Sequence, residues 1–207
     1  MQSDRELLEA WQGGDAGAGE TLFRRYFDRA CRFFYNKVDH GVEDLIQQTF
    51  LACLENRERF RGDSSFFTFL IGVGKNVLRL HYRRQRRDAR IDFHTTSVFD
   101  LSPSPSRIVA QRMDEQRVLD GLRKIPIELQ IVLELHYWEE MSATRVAETL
   151  EIPVGTAKTR LRRGKQLLRE QLDEGTAGET ATNDDALDDC AARIRRAFPG
   201  TDPPDEA

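Results

Sequence analysis

Five polar side chains between positions 158 and 166 share one side of a helix if the chain winds at 3.6 residues per turn: Lys158, Thr159, Arg162, Arg163 and Gln166. A helix laid in a major groove presents such groups to base edges and phosphates. Arginine grips guanine through two hydrogen bonds, and lysine or threonine fixes a phosphate. A second basic set, Lys75, Arg79, Arg83, Arg84, Arg86 and Arg87, lies on and beyond another apolar helix. Asn76 adds a bidentate amide beside it. The loop from Arg61 to Ser65 adds backbone amides and hydroxyls that suit an extruded base. The third set, Asp44, Gln47, Gln48, Leu51 and Glu55, is spaced by three, four and seven. A polar face with a leucine at its centre can dock a partner helix.

Covalent and metal chemistry find no comparable support. His40, His81, His94 and His136 have no metal-ligand spacing, and Asp63-Ser64-Ser65 has no evident histidine partner. No glycine-rich phosphate loop is present. We therefore expect no catalysis, no metal and no cofactor. Cys31, Cys53 and Cys190 are scattered and odd in number, which fits a reducing cytoplasm better than a disulfide framework. No apolar run reaches the length of a membrane span, and Met1 to Arg5 lacks the pattern of a secretion signal.

The elements that must hold these groups are helical throughout. Leu7, Leu8 and Trp11 open a pattern that stops at Gly13-Gly14, and Leu22, Phe23, Tyr26, Phe27, Ala30, Phe33 and Phe34 form a second run. Val42, Leu45, Ile46, Thr49, Phe50, Cys53 and Leu54 form the inward stripe of the helix that carries Gln47. After the Arg61–Ser65 loop, whose serines and aspartate can cap a helix, residues 66–80 are apolar at helical spacing. Phe66, Phe67 and Phe69 are expected in the core rather than as stacking platforms. Residues 91–107, with four serines, two threonines and two prolines, are expected to form a flexible linker.

A second helical unit follows. Val118, Leu119, Leu122 and Ile125 precede Pro126, and Leu129, Val132, Leu133 and His136 follow it. A short helix around Val146, Ala147 and Leu150, the turn Glu151-Ile152-Pro153 and a long helix to about Leu172 make a helix-turn-helix. Val154, Ala157, Leu161, Gly164 and Leu168 are its expected inner stripe.

The net charge of −4 divides unevenly: residues 173–207 carry −7 and the body +3. The basic body fits nucleic acid. The tail's composition favours a disordered solubilising segment. A competing reading places Leu187, Ala191, Ile194 and Phe198 on one docking face, with Asp184, Asp185, Asp188 and Asp189 covering the DNA-binding arginines.

Two segments carry a family resemblance. SATRVAETLEIPVGTAKTRLRRGKQLLRE resembles the C-terminal helix-turn-helix of extracytoplasmic-function (ECF) sigma factors, with Glu151 where that family usually has glycine. VEDLIQQTFLACLENRERF and FRGDSSFFTFLIGVGKNVLRLHYRRQRRD are similar to its polymerase-binding and promoter-opening segments. Gln48 stands where glutamate is common, and Phe67 where tryptophan is.

The resemblance spans roughly residues 3–172. It implies an all-α protein of two small domains: 1–90 for core polymerase binding and the −10 element, a linker at 91–107, 108–172 for the −35 element, and an acidic extension at 173–207. By the same resemblance, Asp44, Gln47, Gln48 and Leu51 face the clamp helices of the largest polymerase subunit. Arg61, Ser64, Ser65, Lys75, Asn76, Arg79 and Arg83 serve the −10 element, and Thr156, Lys158, Thr159, Arg160, Arg162 and Arg163 the −35 element. The implied partners are core RNA polymerase, including the flap of its second-largest subunit, and promoter DNA, with room for an anti-sigma factor. The alternative is a helix-turn-helix regulator that never joins polymerase.

Overall fold

The computed structural model describes residues 2–57, 65–85, 91–103, 113–173 and 184–197. Arg61, Ser64, Arg86, Arg87 and Phe198 lie outside these residues. Ten helices occur among them: α1 (Asp4–Gln12), α2 (Ala16–Tyr35), α3 (Val42–Glu55), α4 (Phe66–Gln85), α5 (Val98–Leu101), α6 (Met113–Lys124), α7 (Ile127–Tyr137), α8 (Ala143–Leu150), α9 (Val154–Asp173) and α10 (Asp184–Ala197). The all-α class expected from periodicity is what forms. Among the described residues, no helix is long and apolar enough to cross a membrane.

Local chemistry sets the helix starts. Ser3 and Glu6 form a reciprocal capping box on α1, and the Asp15 carboxylate accepts from the amides of Gly17 and Ala18 at the head of α2. Ser65 caps α4: its hydroxyl accepts from the Thr68 amide at 3.2 Å. The buried stripes of α1–α4 join through aromatic rings, with Trp11, Tyr26 and Phe66 nearly sealed. Phe66 and Phe67 are core as expected.

The stretch expected to be a flexible linker is packed where it is described. Phe93 is 1% and Val98 0% exposed. The reason lies in α7, whose first turn follows Pro126 and has no side-chain cap. Its orphan amides are taken up by this stretch: Ile127 donates to the Thr96 carbonyl and Glu128 to the Phe93 carbonyl, both at 3.0 Å. Arg123 fixes the same corner. Its buried guanidinium donates to Asp39 at 2.6 Å and to the carbonyls of Asn36 and Ser102. Serines and prolines made the segment look solvated, yet its backbone carbonyls complete a helix.

The tail also departs from its composition. α10 packs on α6 and α7, burying Leu187, Cys190, Ala191 and Ile194. Arg193 reaches Glu115 of α6 at 3.0 Å. The apolar face anticipated at 187, 191 and 194 is real, but it covers α6 and α7, and Asp188 and Asp189 are exposed.

Helices from both halves meet directly. α4 packs on α8, with the hydroxyls of Thr68 and Thr149 3.2 Å apart, and the buried apolar residues form one continuous core. Charged pairs cross the same seam. Glu139 takes Arg29 at 2.5 Å and Arg32 at 3.0 Å. Lys37 pairs with Glu134; Lys37 is fully enclosed and Glu134 is buried. Burial pulls the Lys37 ammonium below the usual lysine range and pushes the Glu134 carboxyl up, each opposed by its partner's charge.

Candidate nucleic-acid interface

The helix-turn-helix is built from α8, the turn at Glu151–Pro153 and α9. Ser142 caps α8 by accepting from the Arg145 amide, and Glu151 ends it at φ 53 and ψ 46. That left-handed conformation normally asks for glycine, which is the physical reason a glycine is expected at this position. Ala157, Leu161, Gly164 and Leu168 are buried along one side of α9. Gly164 lets α9 approach α7, since a Cβ there would sit 3.1 Å from Leu133. Val154, expected in this stripe, is 39% exposed because it opens the first turn, outside the helix contact.

The far side of α9 presents Lys158, Thr159, Arg162 and Arg163, all exposed, with Thr156 half-buried at its start. Gln166 is exposed and donates to Glu170 at 2.9 Å. The Thr159 hydroxyl bonds back to the Gly155 carbonyl at 2.9 Å. Arg160 does not join this row. It turns toward α7 and donates to the Glu128 carboxylate at 3.0 Å, with its side chain 18% exposed. In this structure Arg160, expected from sequence at the groove, forms an internal pair that braces α9.

α4 shows the same division. Asn76 and Arg83 are exposed. Lys75 lies 2.8 Å and Arg79 4.0 Å from the same Glu128 carboxylate. Candidates for two different DNA elements therefore converge on one side chain, itself 3% exposed. No spacing rule connects position 128 to 75, so sequence reasoning missed Glu128. Of the Arg61–Ser65 segment expected to serve the −10 element, Ser65 is described and serves as the α4 cap.

On α3, Asp44, Gln47, Gln48 and Leu51 form an exposed face, opposite buried Val42, Leu45, Ile46, Thr49 and Cys53. Burial pushes the Cys53 thiol up to about 12, so it behaves as an inert apolar group. Leu51 is 54% exposed. Phe27 at 46% and Leu54 at 38% are also exposed, although helical spacing assigned both to inward stripes. They border an open groove of about 700 Å³ beside Trp11, Phe23 and Phe50. These two residues enlarge the apolar part of the candidate docking face. Among the described residues, no cluster of His, Cys, Asp and Glu could hold a metal ion.

Comparison with known proteins joins these surfaces. Residues 22–88 match the model for Sigma-70 region 2, and residues 115–168 that for Sigma-70, region 4. The chain is similar to the ECF RNA polymerase sigma-E factor of Haemophilus influenzae, at 25% identity over 181 residues, covering 82% of this chain and 95% of that protein. It is similar to the ECF RNA polymerase sigma factor SigW of Bacillus subtilis, at 29% identity over 180 residues, with 81% and 96% covered. Its fold resembles CnrH, solved in complex with the cytosolic domain of CnrY, with a TM-score of 0.60 at 24% identity over 84% of this chain and 100% of that one. Both region models, in their order along the chain, lie on the two helical units just described, and the chain belongs to the ECF group of sigma-70 RNA polymerase sigma factors.

Proposed function

We propose a division of labour among the helices of this sigma factor. The exposed face of α3, with Asp44, Gln47, Gln48 and Leu51, docks on the clamp helices of the largest polymerase subunit. Phe27 and Leu54 extend that contact. The second helical unit engages the flap of the second-largest subunit. The α4 surface around Asn76 and Arg83, with the Arg61–Ser65 segment, reads and opens the −10 element. Lys75 and Arg79 join it once released from Glu128. α9 reads the −35 element through Thr156, Lys158, Thr159, Arg162 and Arg163, while Arg160 positions the helix. The protein assigns promoter specificity to polymerase and carries out no bond chemistry itself.

The row of exposed cations on α9, standing on a buried Ala157–Leu161–Leu168 seam, carries this reading. Arg163→Ala should cost about 1–3 kcal/mol on the preferred −35 sequence and relax one base position. Lys158→Ala should weaken all sequences alike and lower the salt slope by about one unit. Binding of holoenzyme to a panel of −35 variants over a salt series separates the two. Uniform weakening by Arg163→Ala would reduce that residue to a backbone contact.

Polymerase docking makes a second expectation. Gln47→Ala with Leu51→Ala should weaken binding to core polymerase at least about tenfold, the size of losing one interface anchor. The melting temperature should stay nearly unchanged, because both side chains are already exposed. A pull-down and a thermal scan on one preparation suffice. A large drop in melting temperature would mean these residues support the fold, and a normal pull-down would favour a regulator that acts apart from polymerase.

A further inference from the structure

The second helical unit has an apolar groove of its own, away from α8 and the recognition row. Val118 and Leu122 of α6, Leu133 and Tyr137 of α7 and Leu168 of α9 line it. All five fall within the region 4 match, residues 115–168. Gly121 brings α6 against α9, since a Cβ there would meet Leu168 at 3.0 Å, and the Arg117 guanidinium donates to the Leu172 carbonyl at 3.0 Å. The helix that fills the groove, α10, starts at Asp184, beyond that match. Residues shared with the family thus form the groove, and an added segment covers it. Left open, such a groove is a receptor for an amphipathic helix.

α10 sits in it as a helical ligand would. Leu187, Cys190, Ala191 and Ile194 are buried, and Arg193 donates to the buried Glu115 of α6 at 3.0 Å, while Asp188 and Asp189 face outward. The fit is incomplete. Small side chains, Cys190 and Ala191, stand at its middle, and a cavity of about 20 Å³ remains between Leu187, Ala191 and the groove. A helix of 14 residues is marginal alone in water, so α10 owes its order to this contact. An occupant with longer apolar side chains at its centre would fill the cavity and hold the groove more tightly.

Resting on the sigma-factor reading, we propose that this groove is where the second unit receives a helix of core polymerase, and that α10 is its intramolecular competitor. The polymerase helix has bulky apolar side chains facing Val118, Leu122 and Leu133 and a basic side chain at Glu115. Because α10 is tethered to α9, it competes at high effective concentration. Polymerase binds the fraction of chains whose groove is free, and its apparent affinity is lowered by that fraction. The added helix therefore sets how strongly this sigma factor competes for polymerase without touching DNA.

The test titrates three proteins with core polymerase: the full chain, the full chain carrying Leu187→Ala with Ile194→Ala, and a chain ending at Asp173. The substitutions lie on α10, so the groove itself is unaltered. Both altered proteins should bind polymerase at least about fivefold more tightly than wild type, the factor for removing a competitor of even modest docking energy. A peptide of residues 184–197, added in excess, should weaken polymerase binding by the truncated chain, and the same peptide with Leu187→Ala should not. Hydrogen exchange on the wild-type full chain gives a second readout. Amides of α10 should be protected in the free protein and lose that protection in the holoenzyme.

Protection of α10 that persists in the holoenzyme overturns the proposal, and this arm needs no variant to fold. Weaker polymerase binding by the altered proteins also overturns it, because α10 would then be part of the contact. If all three proteins bind polymerase equally while the truncated chain still takes the peptide, the groove serves a different helix and the proposal fails. Failure of every form to bind polymerase is a separate result, which sinks the sigma-factor reading itself.

Discussion

Replacing Lys37 with methionine should destabilise the protein by about 3–5 kcal/mol, the range for removing one member of a buried ion pair. Lys37 is fully enclosed, donating to the Phe33 carbonyl at 2.6 Å and pairing with Glu134. Methionine fills the space but supplies no charge, so Glu134 is left as a buried anion with Gln130 donating at 2.8 Å. It must protonate, hydrate by opening the seam, or drive unfolding, and each route lowers the denaturation midpoint. The double variant Lys37→Met with Glu134→Leu removes both charges. It should recover most of the loss and can exceed the wild type, because two desolvation penalties vanish together. Urea denaturation of the four proteins in the cycle measures this. A single variant as stable as wild type would mean Glu134 is not charged in the fold.

Ending the chain at Asp173 should lower stability by about 1–3 kcal/mol and leave promoter-directed transcription intact. α10 buries Leu187 and Ile194 almost completely, at 3% and 1% exposure. Each such side chain contributes roughly 1.5–3 kcal/mol on burial. Ordering the helix backbone opposes this at about 1 kcal/mol or more per residue, partly offset by its own hydrogen bonds. The net docking energy is therefore modest, and it also caps the effect of substitutions within α10. Leu187→Ala with Ile194→Ala should cost no more than the truncation, because the helix can simply leave its site on Val118, Leu122 and Leu133. Activity should persist because α10 lies beyond the region 4 match, which ends at residue 168. A thermal scan with run-off transcription on the same proteins checks both halves. Loss of transcription on truncation would place α10 in the polymerase contact.

The parts of this fold legible in sequence are those set by local period and turn chemistry. The break at Glu151-Ile152-Pro153 between two apolar periods defined the helix-turn-helix, and the exposed row at Lys158, Thr159, Arg162 and Arg163 followed from the same 3.6-residue winding. Ser65 announced itself as a cap by type and place. What escaped depends on contacts distant in sequence. Periodicity gives an apolar face but not what covers it, so spacing puts Phe27, Leu54 and Val154 inside although they are exposed among the described residues. Arg160 stands within a row of exposed polar residues, and its pairing with Glu128, thirty-two positions away, turns it inward. Phe93 and Val98 lie in a serine-, threonine- and proline-rich stretch whose burial follows from the uncapped start of α7. The tail's apolar face at Leu187, Ala191 and Ile194 was legible in its spacing, but nothing local told that it covers α6 and α7.

This chain is expected to confer promoter choice on polymerase. The most direct measurement is in vitro transcription with core RNA polymerase, with and without the protein, on a fragmented genomic template, reading start sites by sequencing. Defined start sites should appear only with the protein and share two upstream motifs at a fixed spacing. Arg163→Ala should relax the upstream motif, and Asn76→Ala should leave closed complexes without an open bubble. Identical start sites with and without the protein, despite its binding DNA, would mean that it does not direct polymerase to promoters.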